Sequence, residues 1–165
     1  MGNAILYRMP SGIPGDVSRP SQSTIESVLL DSANPFAGFG LFGKIVSGKF
    51  IPVGAGDAAT AVYGLYVRPY PATGGAASDP LGTSTPPQGA GIGNALRRGY
   101  MTVKNNAGTP AMNGQVYVRV AAAAAGKPIG GIEAAADSTN TIAITGAIFL
   151  AAADAAGNVE IAYNI

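Results

Sequence analysis

Apolar and polar positions alternate most cleanly over residues 115–120. There Val116, Val118 and Val120 share one parity, and Gln115, Tyr117 and Arg119 the other. Period two is the signature of a half-buried strand, so this segment predicts a strand with the valines inward and Gln115, Tyr117 and Arg119 outward. Residues 139–144 alternate in the same way, with Ile142 and Ile144 on one face. Residues 99–104 read as a strand, and 129–135 as a short one punctuated by glycine. Residues 147–150 and 159–163 flank the turn-forming run 154–158 and predict a terminal hairpin. Nearer the N-terminus, residues 41–46 and 49–53 surround Ser47-Gly48, which predicts a hairpin because glycine accepts the positive φ of a tight turn. Residues 60–70 predict the longest strand. Val62, Gly64, Tyr66 and Arg68 lie on one side of it, Tyr63, Leu65 and Val67 on the other, and Pro69 and Pro71 end it. Residues 24–30 fit either period and are read as a strand with Ile25, Val28 and Leu29 as core candidates.

Two stretches break this pattern. Residues 1–23 form an irregular N-terminal arm, interrupted by Pro10, Gly12, Pro14, Gly15 and Pro20. Ile5, Leu6, Tyr7, Met9, Ile13 and Val17 give that arm apolar anchors, which either fold back on the same domain or reach a neighbouring subunit. Residues 71–94 form a long Pro/Gly-rich internal loop, either disordered in isolation or ordered against a partner. The alanine runs 121–125 and 151–156 follow strands and soon meet Gly126 and Gly157, so they are read as strand ends and loops. The expected fold class is mainly β: a single compact β-sandwich or barrel over residues 24–165, carrying the arm and the loop.

Composition strengthens the β reading and narrows the chemistry. Of 165 residues, 47 % are hydrophobic and 12 % charged, with 24 Gly and 12 Pro. Val and Ile outnumber Leu, which favours strands because β-branched side chains suit a pleated surface. There is no His and no Cys, which removes imidazole bases, thiol nucleophiles, disulfides and thiolate zinc sites from this chain. Ten basic residues balance nine acidic ones, and no basic run is longer than Arg97-Arg98, so no nucleic-acid partner is expected. The longest apolar stretch, residues 147–153, is far short of a membrane span, and the N-terminus has no secretory pattern. The chain is expected to stay in the cytosol where it is made, or in something assembled there. A surface this weakly charged repels neighbours little and suits a subunit of an assembly.

Each motif that suggests chemistry has a plainer structural reading. Residues 38–44 match the first seven positions of a P-loop, but Ile45 stands where Mg²⁺ requires Ser or Thr, and no helix follows. Residues 89–93 are Gly-rich but follow a Pro-rich loop rather than a strand, unlike a dinucleotide fingerprint. Asp154, Asn158 and Glu160 match no calcium-loop spacing, so no metal is expected. The carboxylates nearest in sequence, Glu133 with Asp137 and Asp154 with Glu160, lack the aromatic platforms of a glycosidase, since the chain has no Trp. No catalytic residue and no cofactor is assigned. Arg68, within Tyr66-Val67-Arg68-Pro69-Tyr70, and the pair Arg97-Arg98 remain, because Arg and aromatic residues are enriched at interfaces.

The order of these features resembles the small capsid cement, or head-decoration, proteins of tailed bacteriophages. The matching pieces are Pro35-Phe36 with Gly38 and Gly40, then residues 61–71, 98–103, 114–119, 130–132 and 146–149. The resemblance implies a β-rich structural protein, not an enzyme, on the outer capsid surface of a virion assembled in the bacterial host cytoplasm. Its partner would be the major capsid protein, bound at junctions between subunits, where it would stabilise the shell against internal DNA pressure. A homo-oligomer, trimer or dimer, is implied, with neither nucleic acid nor membrane as partner. The candidate interface residues are Ile5, Leu6, Tyr7, Arg8 and Ile13 in the arm, with Arg68, Tyr70, Arg97 and Arg98. The competing reading is a β-sandwich recognition module such as a tail-fibre or carbohydrate-binding domain, against which the missing Trp counts.

Overall fold

A computed structural model describes residues 12–69 and 86–165. Within them the strands are β1 (Thr24–Leu30), β2 (Phe42–Val46), β3 (Lys49–Pro52), β4 (Gly64–Tyr66), β5 (Gly91–Lys104), β6 (Gln115–Arg119), β7 (Ile132–Glu133), β8 (Thr141–Phe149) and β9 (Asn158–Tyr163). Their order is β1-β3-β2-β4-β5-β9-β8-β6-β7, and β1 pairs again with β5. The first five strands therefore close into a ring, and the remaining four extend a second sheet from β5. Strand pairs are antiparallel except β1 with β3. This is the mainly β, barrel-containing class expected from the sequence.

Strand β5 belongs to both halves. Residues 91–98 pair with β1 and β4, and residues 99–104 pair with β9. The change falls at Gly99, whose φ of +136° is open to glycine and costly for other residues. The strand also bends. Asn94 O accepts from Val67 N–H, Arg68 N–H donates to Gly15 O, and Gly15 N–H donates to Thr102 O. Residues 94 and 102 are thus joined through three hydrogen bonds and a few covalent bonds. A straight strand would hold them roughly 26 Å apart.

A five-stranded ring is narrow, and aromatic side chains fill it. Phe36 lies 4.8 Å from both Phe50 and Tyr66, and Phe39 lies 5.2 Å from Tyr66, centroid to centroid. Val28, Leu30 and Ala95 complete this cluster. Small residues make the space: a Cβ on Gly43 would come within 2.5 Å of Phe50 and 2.6 Å of Phe36. The outer wall of the ring presents Phe42, Val53, Leu65 and Leu96 to the second sheet, where they join Met101, Val116, Val118, Ile132, Phe149 and Ile161 in the larger core. Phe42 N–H donates to Gly130 O at 2.9 Å, tying β2 to the loop before β7.

The structure corrects several expectations. The described part of 60–70, residues 60–69, holds only the three-residue β4, because residues 59–61 form a single 3₁₀ turn and Pro69 stops pairing. Residues 91–94, placed in the long loop by their glycines, open β5. Pairing with β1 imposes strand geometry on them. Residues 141–149 are one strand rather than two; the register shifts opposite residues 115–117, and Gly146 has φ +85°. Ile25 and Leu29 are 43 % and 57 % exposed rather than core, since only the other face of β1 looks into the ring. Arg119 is buried, not outward. The alanine runs are loops, and the 41–53 and terminal hairpins form as read.

The described part of the arm folds back on its own domain. Val17 bridges Met101, Thr102 N–H donates to Asp16 O, and Ser18 N–H donates to Tyr100 O, so residues 15–18 cover the edge of β5 that β9 leaves open. Arg19 lies 4.0 Å over the Tyr100 ring and pairs with Glu160 at 3.2 Å. Gly15 sits where a Cβ would meet Phe39 Cβ at 2.5 Å and Arg68 Cβ at 2.9 Å, with φ +92°. Gly48 has a similar φ of +77° but open space around it. Gly15→Ala should therefore lose roughly 2–4 kcal/mol of stability and Gly48→Ala only about 1 kcal/mol. Urea denaturation of both variants checks the difference, and equal losses would contradict this account of the arm.

Candidate interaction surface

Of the interface candidates, Ile5, Leu6, Tyr7, Arg8 and Tyr70 lie outside the described residues. Ile13 is half-buried where the arm begins to dock, and its carbonyl accepts from Asp16 N–H at 3.1 Å. Arg68 stands two residues past the end of β4. Its N–H reaches Gly15 O at 2.9 Å, and its guanidinium lies 5.4 Å from the Phe39 ring. Asp16 faces it: burial raises the Asp16 pKa, and the Arg68 charge opposes that rise. The structure thus brings Ile13 and Arg68 together through Gly15.

Arg97 and Arg98 alternate along β5 and do not share an environment. Arg97 stacks on Tyr63 at 3.7 Å, donates to the Tyr63 carbonyl and lies 3.5 Å from Glu26. The Tyr63 hydroxyl donates to Glu26, and this hydrogen bond raises the Tyr63 pKa. Arg97 is thereby engaged within its own fold, whereas Arg98 is exposed.

The carboxylates weighed for catalysis hold the fold together. Glu133 on β7 and Asp137 beyond it converge on Arg119 of β6. Arg119 Nε lies 2.5 Å from Glu133 Oε1, and Nη2 lies 2.7 Å from Asp137 Oδ2. Arg119 Nη1 donates to the carbonyls of Ala121 and Ala122, both at 3.2 Å. Hydrogen bonding to Glu133 and Asp137 raises the Arg119 pKa, and the same contact lowers that of Asp137. Period-two reading missed this because it treats a charged residue as outward unless a buried partner is known. Asp154 and Glu160 lie apart in function: Asp154 accepts the N–H groups of Ala156 and Asn158 to shape the hairpin turn, and Glu160 takes Ser18 Oγ–H and Arg19. Lys44, at the lysine position of the P-loop-like run, lies in β2 and pairs with Asp57 at 2.7 Å. Among the described residues no group of three acidic, His or Cys side chains could hold a metal ion.

The surface feature that sequence reasoning missed is apolar. On the outer wall of the ring, Leu29 pairs directly with Ile92, and these residues are 57 % and 76 % exposed. Ile25 stands four residues along the same face of β1, with Ser27 between them. Val46, 45 % exposed, shares this face through Lys49, which neighbours Leu29 in β3. The clue lay in β1, where Ile25 and Leu29 alternate with Val28 and Leu30, so both faces of one strand are apolar. Leu29 and Ile92 thus form an exposed apolar pair, with Ser27 between it and Ile25 and Lys49 between it and Val46.

Comparison with known proteins follows this geometry. A family model described as XM1 gp53 minor capsid protein matches residues 2–163. A chain in the solved capsid of Myoviridae phage XM1 is similar in fold, with a TM-score of 0.72 and 19 % sequence identity over 99 % of this chain and 97 % of that one. No curated protein matches the sequence.

The buried ion pair gives a test of its structural role. Glu133→Ala leaves Arg119 without its main partner and should cost roughly 3–5 kcal/mol in urea denaturation. Asp137 has its pKa lowered from 3.8, so its contribution is present in full above that value and is lost as the pH falls toward the lower folded value. Asp137→Asn should accordingly flatten the acid side of the stability profile. An unchanged acid slope would remove Asp137 from the account.

Proposed function

Because the chain belongs to the XM1 gp53 minor capsid protein family, we propose that it is a cement protein of a tailed-phage head. Membership makes it a structural component of the capsid, associated with the shell of the virion. The finer reading is that it binds the outer surface at junctions between major capsid protein subunits and stabilises the shell against the pressure of packaged DNA. It is taken up as a homo-oligomer, dimer or trimer, during assembly in the host cytoplasm.

The observation that carries this reading is the exposed apolar pair Leu29 and Ile92, flanked by Ile25 beyond Ser27 and by Val46 beyond Lys49, on the outside of a ring whose interior is already full. These side chains lie outside both buried clusters, and covering their exposed area would gain free energy. The shell is the partner that family membership supplies. Gluing needs buried area and shape, and each added clip contributes binding free energy to a junction that must open before the head ruptures.

A second feature supports attachment by the two Pro/Gly-rich segments. The chain leaves the described fold at Gly12 and at Pro69, and Arg68 N–H is bonded to Gly15 O between those two points. We assign residues 1–11 and 70–85 to contact with the shell. Residues 12–18 adjoin or cover β5, so the loading test removes residues 1–11 alone.

Shells assembled without this protein provide the assay. Ile92→Asp and Leu29→Asp should leave the fold intact and raise the concentration for half-occupancy at least tenfold, the loss expected of an interface anchor. Removal of residues 1–11 should weaken loading as well. Wild-type occupancy by both aspartate variants would overturn the role of this pair, and decorated shells that rupture at the same temperature as bare ones would overturn the cement reading.

A further inference from the structure

The turn that leads into β6 carries a chemically labile peptide. Asn113-Gly114 is the single Asn-Gly pair in the sequence, and no Asp is followed by glycine. A side chain after Asn hinders the approach of the next backbone nitrogen to the Asn carboxamide, whereas glycine leaves that approach open. Gly114 N–H donates to Ala111 O at 2.9 Å and closes a four-residue turn, with Asn113 in its third position at φ +62°. Positive φ at that position alone is the type II pattern, which favours Gly or Asn there. A Cβ on Gly114 would come within 2.9 Å of Ala111 O, so the turn also demands the glycine. Asn113 is exposed, and its carboxamide has no hydrogen-bond partner among the described residues. Its backbone, by contrast, is clamped. Asn113 N–H donates to Phe149 O at 2.8 Å, and Phe149 N–H donates to Gly114 O at 3.0 Å. Phe149 is fully buried in the larger core, so the clamp is anchored in the packing of the second sheet.

We propose that Asn113 is this protein's site of spontaneous deamidation, and that the clamp on Phe149 sets its rate. The Gly114 nitrogen gives its proton to hydroxide, and its electron pair attacks Asn113 Cγ. The N–Cγ bond forms, the Cγ–Nδ2 bond breaks, and Nδ2 takes a proton from water and leaves as ammonia. Water then adds to one of the two imide carbonyls and reopens the ring as aspartate or isoaspartate. One water is consumed and one ammonia released, with no change of oxidation state. In the folded chain the attacking nitrogen keeps its proton in the bond to Ala111 O, and the residues on both sides of the reacting peptide are tied to Phe149. Reaction therefore waits for a local opening in which the turn leaves β8. Isoaspartate adds a methylene to the main chain, so the two bonds to Phe149 no longer fit one register. This join adjoins the place where β6 and β8 already shift register, between Gln115 and Tyr117. The turn that requires Asn and Gly thus sets a limit on the lifetime of the fold, and the tie to β8 extends it.

The test incubates the full chain at mildly alkaline pH, folded or in guanidinium chloride, and reads conversion of amide to acid by peptide mass mapping. In guanidinium chloride Asn113 should convert before every other Asn. In the folded chain the same site should convert at least tenfold more slowly. Phe149→Leu, which loosens the packing behind the clamp, should convert at least threefold faster than folded wild type while circular dichroism shows it folded. If that variant does not fold, the comparison of folded with denatured wild type decides alone. Wild type aged in guanidinium chloride and refolded should melt below its unaged counterpart. Asn113→Gly, which suits the positive φ and removes the carboxamide, should melt unchanged after the same treatment. Another Asn converting first, a folded rate within tenfold of the denatured one, or a folded Phe149→Leu less than threefold faster than wild type would overturn the proposal. Unaltered melting of aged wild type, or an equal loss in Asn113→Gly, would overturn it too.

Discussion

One bent strand carries the architecture. Strand β5 gives residues 91–98 to a closed ring and residues 99–104 to an open sheet, so neither half has a complete set of hydrogen bonds without it. The bend at Gly99 turns the two halves toward one another, and the arm, through Gly15, and the end of β4, through Arg68, bond across the gap. The two hydrophobic clusters follow from this arrangement. The ring closes around its aromatic side chains, and its outer wall is pressed against the second sheet by the same strand that joins them.

The closed ring also decides what is left on the surface. Its interior is taken by Phe36, Phe50 and Tyr66, with Gly43 making room, so β1 cannot turn both of its apolar faces inward. Leu29 and Ile25 must then face out, beside Ile92. The charged residues show the complementary economy. Arg119, Glu133 and Asp137 satisfy one another, Arg97 is engaged by Tyr63 and Glu26, and Lys44 by Asp57. What the ring leaves exposed is apolar area, at Leu29 and Ile92 above all.

Much of this was legible in the sequence where a strand is half-buried and regular. The valines of β6 obeyed period two, the 41–53 and terminal hairpins were marked by apolar runs around turn residues, and the mainly β class followed. Legibility failed where tertiary pairing overrode local signals. Gly91 and Gly93 read as loop, yet they lie in the longest strand, and at Gly93 a Cβ would come within 2.9 Å of Tyr66. Residues 60–70 had the better alternation and the shorter strand. Arg119 was invisible as a core residue because its partners lie 14 and 18 positions away. Among the interface candidates, Arg68 stands at the root of the arm, Arg97 is occupied within its own fold, and the exposed Leu29 was hidden inside a strand that looked like core.

The central claim is that this protein works by adhesion across a boundary in the shell. Cryo-electron microscopy of the mature head tests it most directly. The account predicts density for this chain on the outer surface, spanning two adjacent major capsid protein subunits, with Leu29 and Ile92 covered by one of them. Density lying within the footprint of a single subunit, or on the inner surface of the shell, would contradict it.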